Sequence, residues 1–211
     1  MTDVLVILFG LTMLYISATG MLGSYVRMLA AQGILLFLIA VINTNEFNFA
    51  GFVFVALETL ILKAVLIPWF LGKTIRDNEM VREVEPNIPN FFSVLIVSLI
   101  FAFGFVLASW SIHAGNNLIP LQFGISISTM ITGMFIIITR HKLITHVMGY
   151  MISENEIFLL SLSAAKEMPV MVSLGVSLDI FMGVLMAGLF ISRIKSSFED
   201  HDVDTLSNLK D

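Results

Sequence analysis

A chain of 211 residues that is 57% hydrophobic and only 13% charged cannot cover itself against water, since soluble domains carry about 25% charged residues. A net charge of −5 gives nucleic acid nothing to bind, and the lack of cysteine excludes disulfides, thiolate-held iron–sulfur clusters and thiolate-ligated metals. With a mean hydropathy of +0.95, the composition describes an all-α, polytopic integral membrane protein whose surroundings are the lipid bilayer.

The first stretch, MTDVLVILFGL, lacks the basic region of a signal peptide and is read as the first span rather than a leader. At ~20 apolar residues per helical crossing, about seven spans are expected: Val4–Ala18, Leu22–Ile42, Phe49–Leu71, Phe91–Ile112, Leu118–Thr139, Leu143–Leu162 and Val170–Ile194. A glycine turn, SATGMLGS, joins the first two. The long loop Gly72–Asn90 carries charges and two prolines, Pro86 and Pro89. Pro68 is expected to kink or break the third span five residues after Lys63, freeing a backbone carbonyl near that charge. Nine basic residues (27, 73, 76, 82, 140, 142, 193, 195 and 210) fall on one side of this arrangement and Lys166 alone on the other. The positive-inside rule then places the N-terminus outside and the C-terminus in the cytoplasm.

Residues 28–38, MLAAQGILLFL, align without gaps on 151–161, MISENEIFLLS, setting Gln32 opposite Asn155. With a seven-residue difference in the intervening loop, Leu62–Lys63 also falls opposite Leu178–Asp179. Either apolar segments resemble one another by chance, or the chain holds two parallel three-helix repeats joined by an extra span, which the topology favours. The division is then 1–72 for the first repeat, 73–117 for a cytoplasmic loop and linking span, 118–194 for the second repeat and 195–211 for an acidic cytoplasmic tail.

Charges at membrane depth carry the functional signal, because each costs roughly 2.5 kcal/mol or more to insert. At ~1.5 Å per residue, Glu154 lies ~20 Å from the inner edge, and Lys63 and Asp179 share its depth. Glu154 is a proton relay or one half of a structural salt bridge, Asp179 a relay or a carboxylate satisfied by hydrogen bonds, and Lys63 the expected counter-charge, itself suited to a relay because a buried lysine readily lowers its pKa. Glu156 is counted with these three as a proton-relay residue. Glu154 and Glu156 stand ~200° apart on a helix, so one is expected to face this subunit and the other an adjoining chain or the seventh span. Glu58, one and a half α-helical turns before Lys63, is assigned a different face, lining a cavity or meeting a partner. Arg27, near the inner boundary, reads as an anchor more than a relay, and Asn155 joins Glu58 and Arg27 as a secondary pathway candidate. With this many ionisable groups at depth, some are expected to face neighbouring chains. The four histidines, at 113, 141, 146 and 201, are scattered without metal-ligand spacing, and no catalytic or cofactor fingerprint is present. No metal, cofactor or catalytic residue is expected.

The stretches LKAVLIPW (62–69), NIP (87–89), GYMISEN (149–155), LGVSLDIF (174–181) and DVDTLSNLKD (202–211) resemble hydrogenase-4 component E, a membrane subunit of formate-hydrogenlyase-type complexes. The resemblance implies a protein akin to two fused copies of the small three-helix subunit of respiratory complex I and of multisubunit cation/proton antiporters. It further implies that Glu154 and Asp179 match the glutamates of that subunit's second and third helices, which belong to a polar axis through the membrane arm. Two positions depart from the pattern: Glu156 stands where glycine is usual, and Ser173 where an acid is usual. An exchange of acids between spans is one reading of that pair.

The expectation is thus a non-redox proton-translocating subunit, not an enzyme on its own, in the inner membrane of a prokaryote. Its partners would be the other membrane and peripheral subunits of a complex-I-like, energy-converting [NiFe]-hydrogenase. A subunit of a multisubunit cation/proton antiporter and a structural spacer are the alternatives.

Overall fold

The computed structural model describes residues 1–43, 53, 55–77, 88–113, 119–140, 142–163 and 183. Two compact units divide the chain, Met1–Val172 and Ser173–Asp211. Gly183 is the one described residue of the second unit, so the expectations for Ser173, Asp179, the seventh span and the tail lie outside the described residues.

Among the described residues the first unit is helical throughout. Helix α1 is Thr2–Ala18 and α2 is Leu22–Asn43; a π-helical segment, π1 (Leu57–Leu66), then runs directly into α3 (Ile67–Asp77). Helices α4 (Asn90–His113), α5 (Pro120–Thr139) and α6 (Leu143–Ser163) follow. Three segments are long and apolar enough to cross a membrane, Leu22–Asn43, Asn90–Trp110 and Pro120–Thr139, while α1 is a shorter apolar helix. Helix α6 has the length, at 21 residues, but carries a polar middle. The third rod continues to Asp77, so the boundary expected at residue 72 falls inside α3.

Turn chemistry fixes the ends. Between α1 and α2 the Thr19 hydroxyl accepts from the Met21 amide at 3.2 Å, and the Ser24 amide donates to the Met21 carbonyl at 2.9 Å. Pro120 opens α5 after an extended Ile119, a position where its missing N–H costs nothing. The Ile119 amide donates to the Ser163 carbonyl at 3.0 Å, tying the start of α5 to the end of α6.

Helices α1, α2, α5 and α6 pack together, with π1 and α3 flanking α2 and α4 flanking α5. An apolar cluster of Val6, Phe9, Leu36, Ile39, Ile125, Phe158, Leu159 and Leu162 fills the space between the four. Outward, α4 presents Phe91, Leu99, Phe103, Val106 and Trp110, and π1 with α3 presents Ile61, Val65 and Trp69. Aromatic and aliphatic faces of this extent suit lipid, not water. The described architecture is that of an all-helical protein built for a membrane.

Because lipid gives apolar helices no hydrophobic reason to associate, they rely on close backbone approach at small residues. On α4 and α5, Gly104 lies against Ser128 and Gly124, and on α5 and α6 Gly133 lies against Gly149 and Ser153. The tightest case outside these is Gly33 of α2: a Cβ there would meet the Ala64 backbone nitrogen at 2.7 Å and the Lys63 carbonyl carbon at 2.9 Å. The backbone of π1 therefore lies directly on α2, one residue from Lys63.

Gly33→Ala is expected to lower stability by about 1–3 kcal/mol through overpacking against backbone that cannot rotate away. Gly23→Ala meets nothing within 4 Å and should be neutral or gain up to about 1 kcal/mol from helix propensity. Thermal unfolding of both variants in mild detergent checks this, and equal melting shifts would contradict it.

Candidate functional site

Three consecutive polar residues at the middle of α6 build the site. Successive side chains on an α-helix turn by about 100°, so Glu154, Asn155 and Glu156 must address three different neighbours. All three are buried.

Glu154 points to π1, where its Oε1 lies 2.6 Å from Lys63 Nζ. Glu58 Oε1 lies 3.8 Å from the same nitrogen, and both side chains of that pair are at most 5% exposed. One helical turn beyond Glu154, the Phe158 ring sits 5.2 Å from the ammonium and presents its π face. The sequence reading put Glu58 on a different face from Lys63, which the structure corrects. Residues five apart diverge by about 140° on an α-helix, but i→i+5 pairing stacks them one turn apart. Leu57–Leu66 is π-helical, so Glu58 and Lys63 share one side.

Pro68 explains where that winding ends. It has no N–H to offer to residue 64 or 63, so regular α pairing cannot run through it. The last π-type bond, from the Ile67 amide to the Leu62 carbonyl, closes the wide segment just before the proline. The expected disturbance after Lys63 is therefore present as a π-helix on the N-terminal side of Pro68, not as a broken rod.

Asn155 points to α2. Its Nδ2 donates to Gln32 Oε1 at 3.2 Å, and Gln32 Nε2 donates to Thr12 Oγ1 at 2.8 Å. The Thr12 hydroxyl in turn donates to the Phe9 carbonyl at 2.6 Å. A buried chain of amides and a hydroxyl thus crosses from α6 through α2 to α1. Its central contact joins the two residues that the internal alignment sets opposite each other.

Glu156 points to α5, where Thr129 Oγ1 lies 2.5 Å from its Oε2. Lys63 also attracts this carboxyl group through space. Both carboxyl groups of α6 are met inside this chain, which corrects the expectation that one of them faces an adjoining chain. Lys63, Glu58, Glu154 and Glu156 are all buried in the first unit. The helix can serve two opposite carboxyl groups because it is enclosed, with π1 and α2 on one side and α5 on the other.

Arg27 stands apart. It is exposed, and its Nη2 donates to Ser24 Oγ at 3.2 Å on its own helix. Among the described residues no group of three or more His, Asp or Glu is placed to hold a metal ion. Sequence reasoning passed over Thr129, Thr12 and Phe158. Thr129 had a signal: with Gln122 and Ser126 it forms a polar line at i, i+4 and i+7 on an otherwise apolar helix.

No family model matches the chain, and no solved structure matches it. It is similar, at 27% identity over 198 residues, to the uncharacterized protein Rv0085 of Mycobacterium tuberculosis, covering 90% of this chain and 87% of that one. The similarity is thus end to end, not confined to one segment.

Two carboxyl groups, Glu58 and Glu154, share one ammonium here, and removing the ammonium leaves buried acids uncompensated. Lys63→Met should cost about 3–5 kcal/mol, the usual penalty for breaking a buried pair by one partner. Adding Glu154→Gln should recover 1 kcal/mol or more of that loss, within the ~0.5–3 kcal/mol range of coupling between contacting residues. Chemical unfolding of the wild type, both single variants and the double variant measures the cycle, and strict additivity would show the pair to be uncoupled.

Proposed function

We propose that this chain is a membrane-embedded proton-translocating and coupling subunit of a complex-I-like, energy-converting [NiFe]-hydrogenase assembly, without enzymatic activity of its own. The observation that carries the reading is the buried Glu58–Lys63–Glu154 cluster, built across π1 and α6 among helices made for lipid. Carboxyl groups and a lysine at this depth are costly to retain and are typical of proton pathways. A π-helical segment is likewise frequent at functional sites. The cluster offers what coupling needs: an ammonium held between two carboxyl groups, so that a proton added to one acid weakens its hold on Lys63 and strengthens that of the other. Electrons would remain in partner subunits, since the chain has no cysteine to hold a cluster.

Seven spans, with the N-terminus outside and the C-terminus in the cytoplasm of a prokaryotic inner membrane, belong to this proposal. So does duplication of a three-helix unit. The Gln32–Asn155 hydrogen bond supports it, because equivalent residues of two parallel copies meet where a pseudo-two-fold axis passes between them. Helices α4 and π1–α3, apolar on their outer faces, would meet lipid or the larger membrane subunits.

Two measurements test the reading. Affinity capture of the full-length tagged chain from its own membranes should bring nickel and iron with it in a hydrogen-evolving complex. A partner set without nickel would point to the cation/proton antiporter instead. Glu154→Gln should leave that complex assembled and its hydrogen chemistry with artificial donors intact, while lowering proton uptake by vesicles at least tenfold. Wild-type proton coupling in Glu154→Gln would remove Glu154 from the pathway.

A further inference from the structure

Glu156 has no role in the Lys63 cluster, and it stands where the family resemblance expects glycine. Its surroundings define a hydrogen-bond problem. Thr129 has one hydroxyl hydrogen, yet its Oγ1 lies 2.6 Å from the Ile125 carbonyl, 3.1 Å from the Ser126 carbonyl and 2.5 Å from Glu156 Oε2. One hydrogen cannot serve three acceptors at these distances. A proton on Glu156 resolves the count: the carboxyl group donates to Thr129 Oγ1, and the hydroxyl donates to the backbone of its own helix, its usual place on a helix. Among the described residues the other carboxyl oxygen, Oε1, is buried without a hydrogen-bond partner, as a neutral acid tolerates far better than a carboxylate.

From Thr129 a polar line leads along α5 to the end tied down by Ile119 and Ser163. Ser126 is buried, and its hydroxyl donates to the Gln122 carbonyl at 2.6 Å. Gln122, also buried, accepts at Oε1 from Asn43 Nδ2 at 3.1 Å. Asn43 is half-buried and forms the mouth of the line. The steps from Gln122 to Ser126 and from Ser126 to Thr129 rise by ~6 Å and ~4.5 Å, each about the reach of a single bridging water. On α6 itself the same end is closed above Glu154 by Phe158, Leu159 and Leu162 of the apolar cluster. The polar route past that plug runs on α5 and ends at Glu156.

We infer that Glu156 is a second, separate proton-holding site, loaded from the Asn43–Gln122 end through Ser126 and Thr129. This deepens the proposed function and rests on its reading of the α6 carboxyl groups as proton carriers. Each transfer is balanced at Thr129: Oγ1 takes the proton from one side as its own hydrogen leaves toward the other, so the hydroxyl is unchanged. Of the charged groups on the elements packed around it, Lys63 is the one that acts on Glu156, and it does so without contact.

Infrared difference spectroscopy of the purified full-length chain in lipid nanodiscs, moved from water to deuterium oxide, reads this directly. A protonated-carboxyl band should be present, and Glu156→Gln should remove it. Exchange of that band should slow at least tenfold in Thr129→Val and in Gln122→Leu, and stay fast in Thr129→Ser. Ser128→Ala, on the same helix but facing α4, should leave the rate unchanged. The inference is overturned if no band is lost in Glu156→Gln, or if exchange in Gln122→Leu matches the wild type. Thr129→Ser and Gln122→Leu decide the matter even where Thr129→Val does not fold. Wild-type proton coupling in Glu154→Gln would remove Glu154 from the proposed pathway while leaving the slowed exchange of Thr129→Val and Gln122→Leu standing, so the two failures are distinguishable.

Discussion

The contact between Lys63 and Glu154 sets conditions that the surrounding helices must meet. A lysine and a carboxylate brought out of water keep their charges only if they stay close and well oriented, since the desolvation penalty is several kcal/mol per ion. At 2.6 Å the pair satisfies that condition. It requires π1 to lie closely on α2 so that the Lys63 side chain reaches α6, and the absent side chain at Gly33 permits this by letting the Lys63–Ala64 backbone lie on α2. It also benefits from the wide winding that swings Glu58 onto the same side, and that winding stops where Pro68 removes an N–H. Glycine, proline and π-helix are thus three parts of one solution, each placed within a few residues or one contact of the lysine.

Helix α6 turns that single pair into a layer. Because its three central residues face three neighbours, every polar connection in the layer passes through one turn of one helix. Charge lies on the π1 side, neutral amides on the α2 side and a carboxyl–hydroxyl contact on the α5 side. The helix backbone stands between the two carboxyl groups, so they do not exchange protons directly. Any communication between them runs through the field of Lys63, which touches one and acts on the other from a distance. An ammonium that shifts toward Glu58 would change the electrostatic environment of both acids at once.

Much of this was legible before any coordinates. Depth counting placed Lys63 and Glu154 at one level, and they meet; the gapless alignment set Gln32 opposite Asn155, and they hydrogen-bond. What misled was the assumption of uniform α-helical winding, which carried Glu58 to the wrong face. A π segment leaves no periodic signature in a run such as LETLILKAVL, where apolar residues fill most positions. The other error, sending a carboxyl group to an adjoining chain, came from counting charges against seven helices without counting hydroxyls. Thr129 answers Glu156, but serine and threonine on apolar helices usually bond to their own backbone, so none of them advertises a side-chain partner.

The physical contrast between the two sides of α6 bears on how such a protein can work. On the π1 side the acids are held as partners of Lys63, so a proton arriving there must displace an ion-pair contact. On the α5 side the partner is the Thr129 hydroxyl, which can accept from a neutral acid or donate to a charged one. A proton resting on the α5 side therefore costs little, and a proton arriving on the π1 side displaces an ion pair. Two carboxyl groups only two residues apart in sequence are in this way given opposite characters by their neighbours alone. A glycine at 156 would leave the charged side intact but remove the resting place, so that the enclosed face of α5 would line a polar route with no acid at its end. The acid at 156 therefore sets the chemistry of one face of α6, with the pair on the other face untouched.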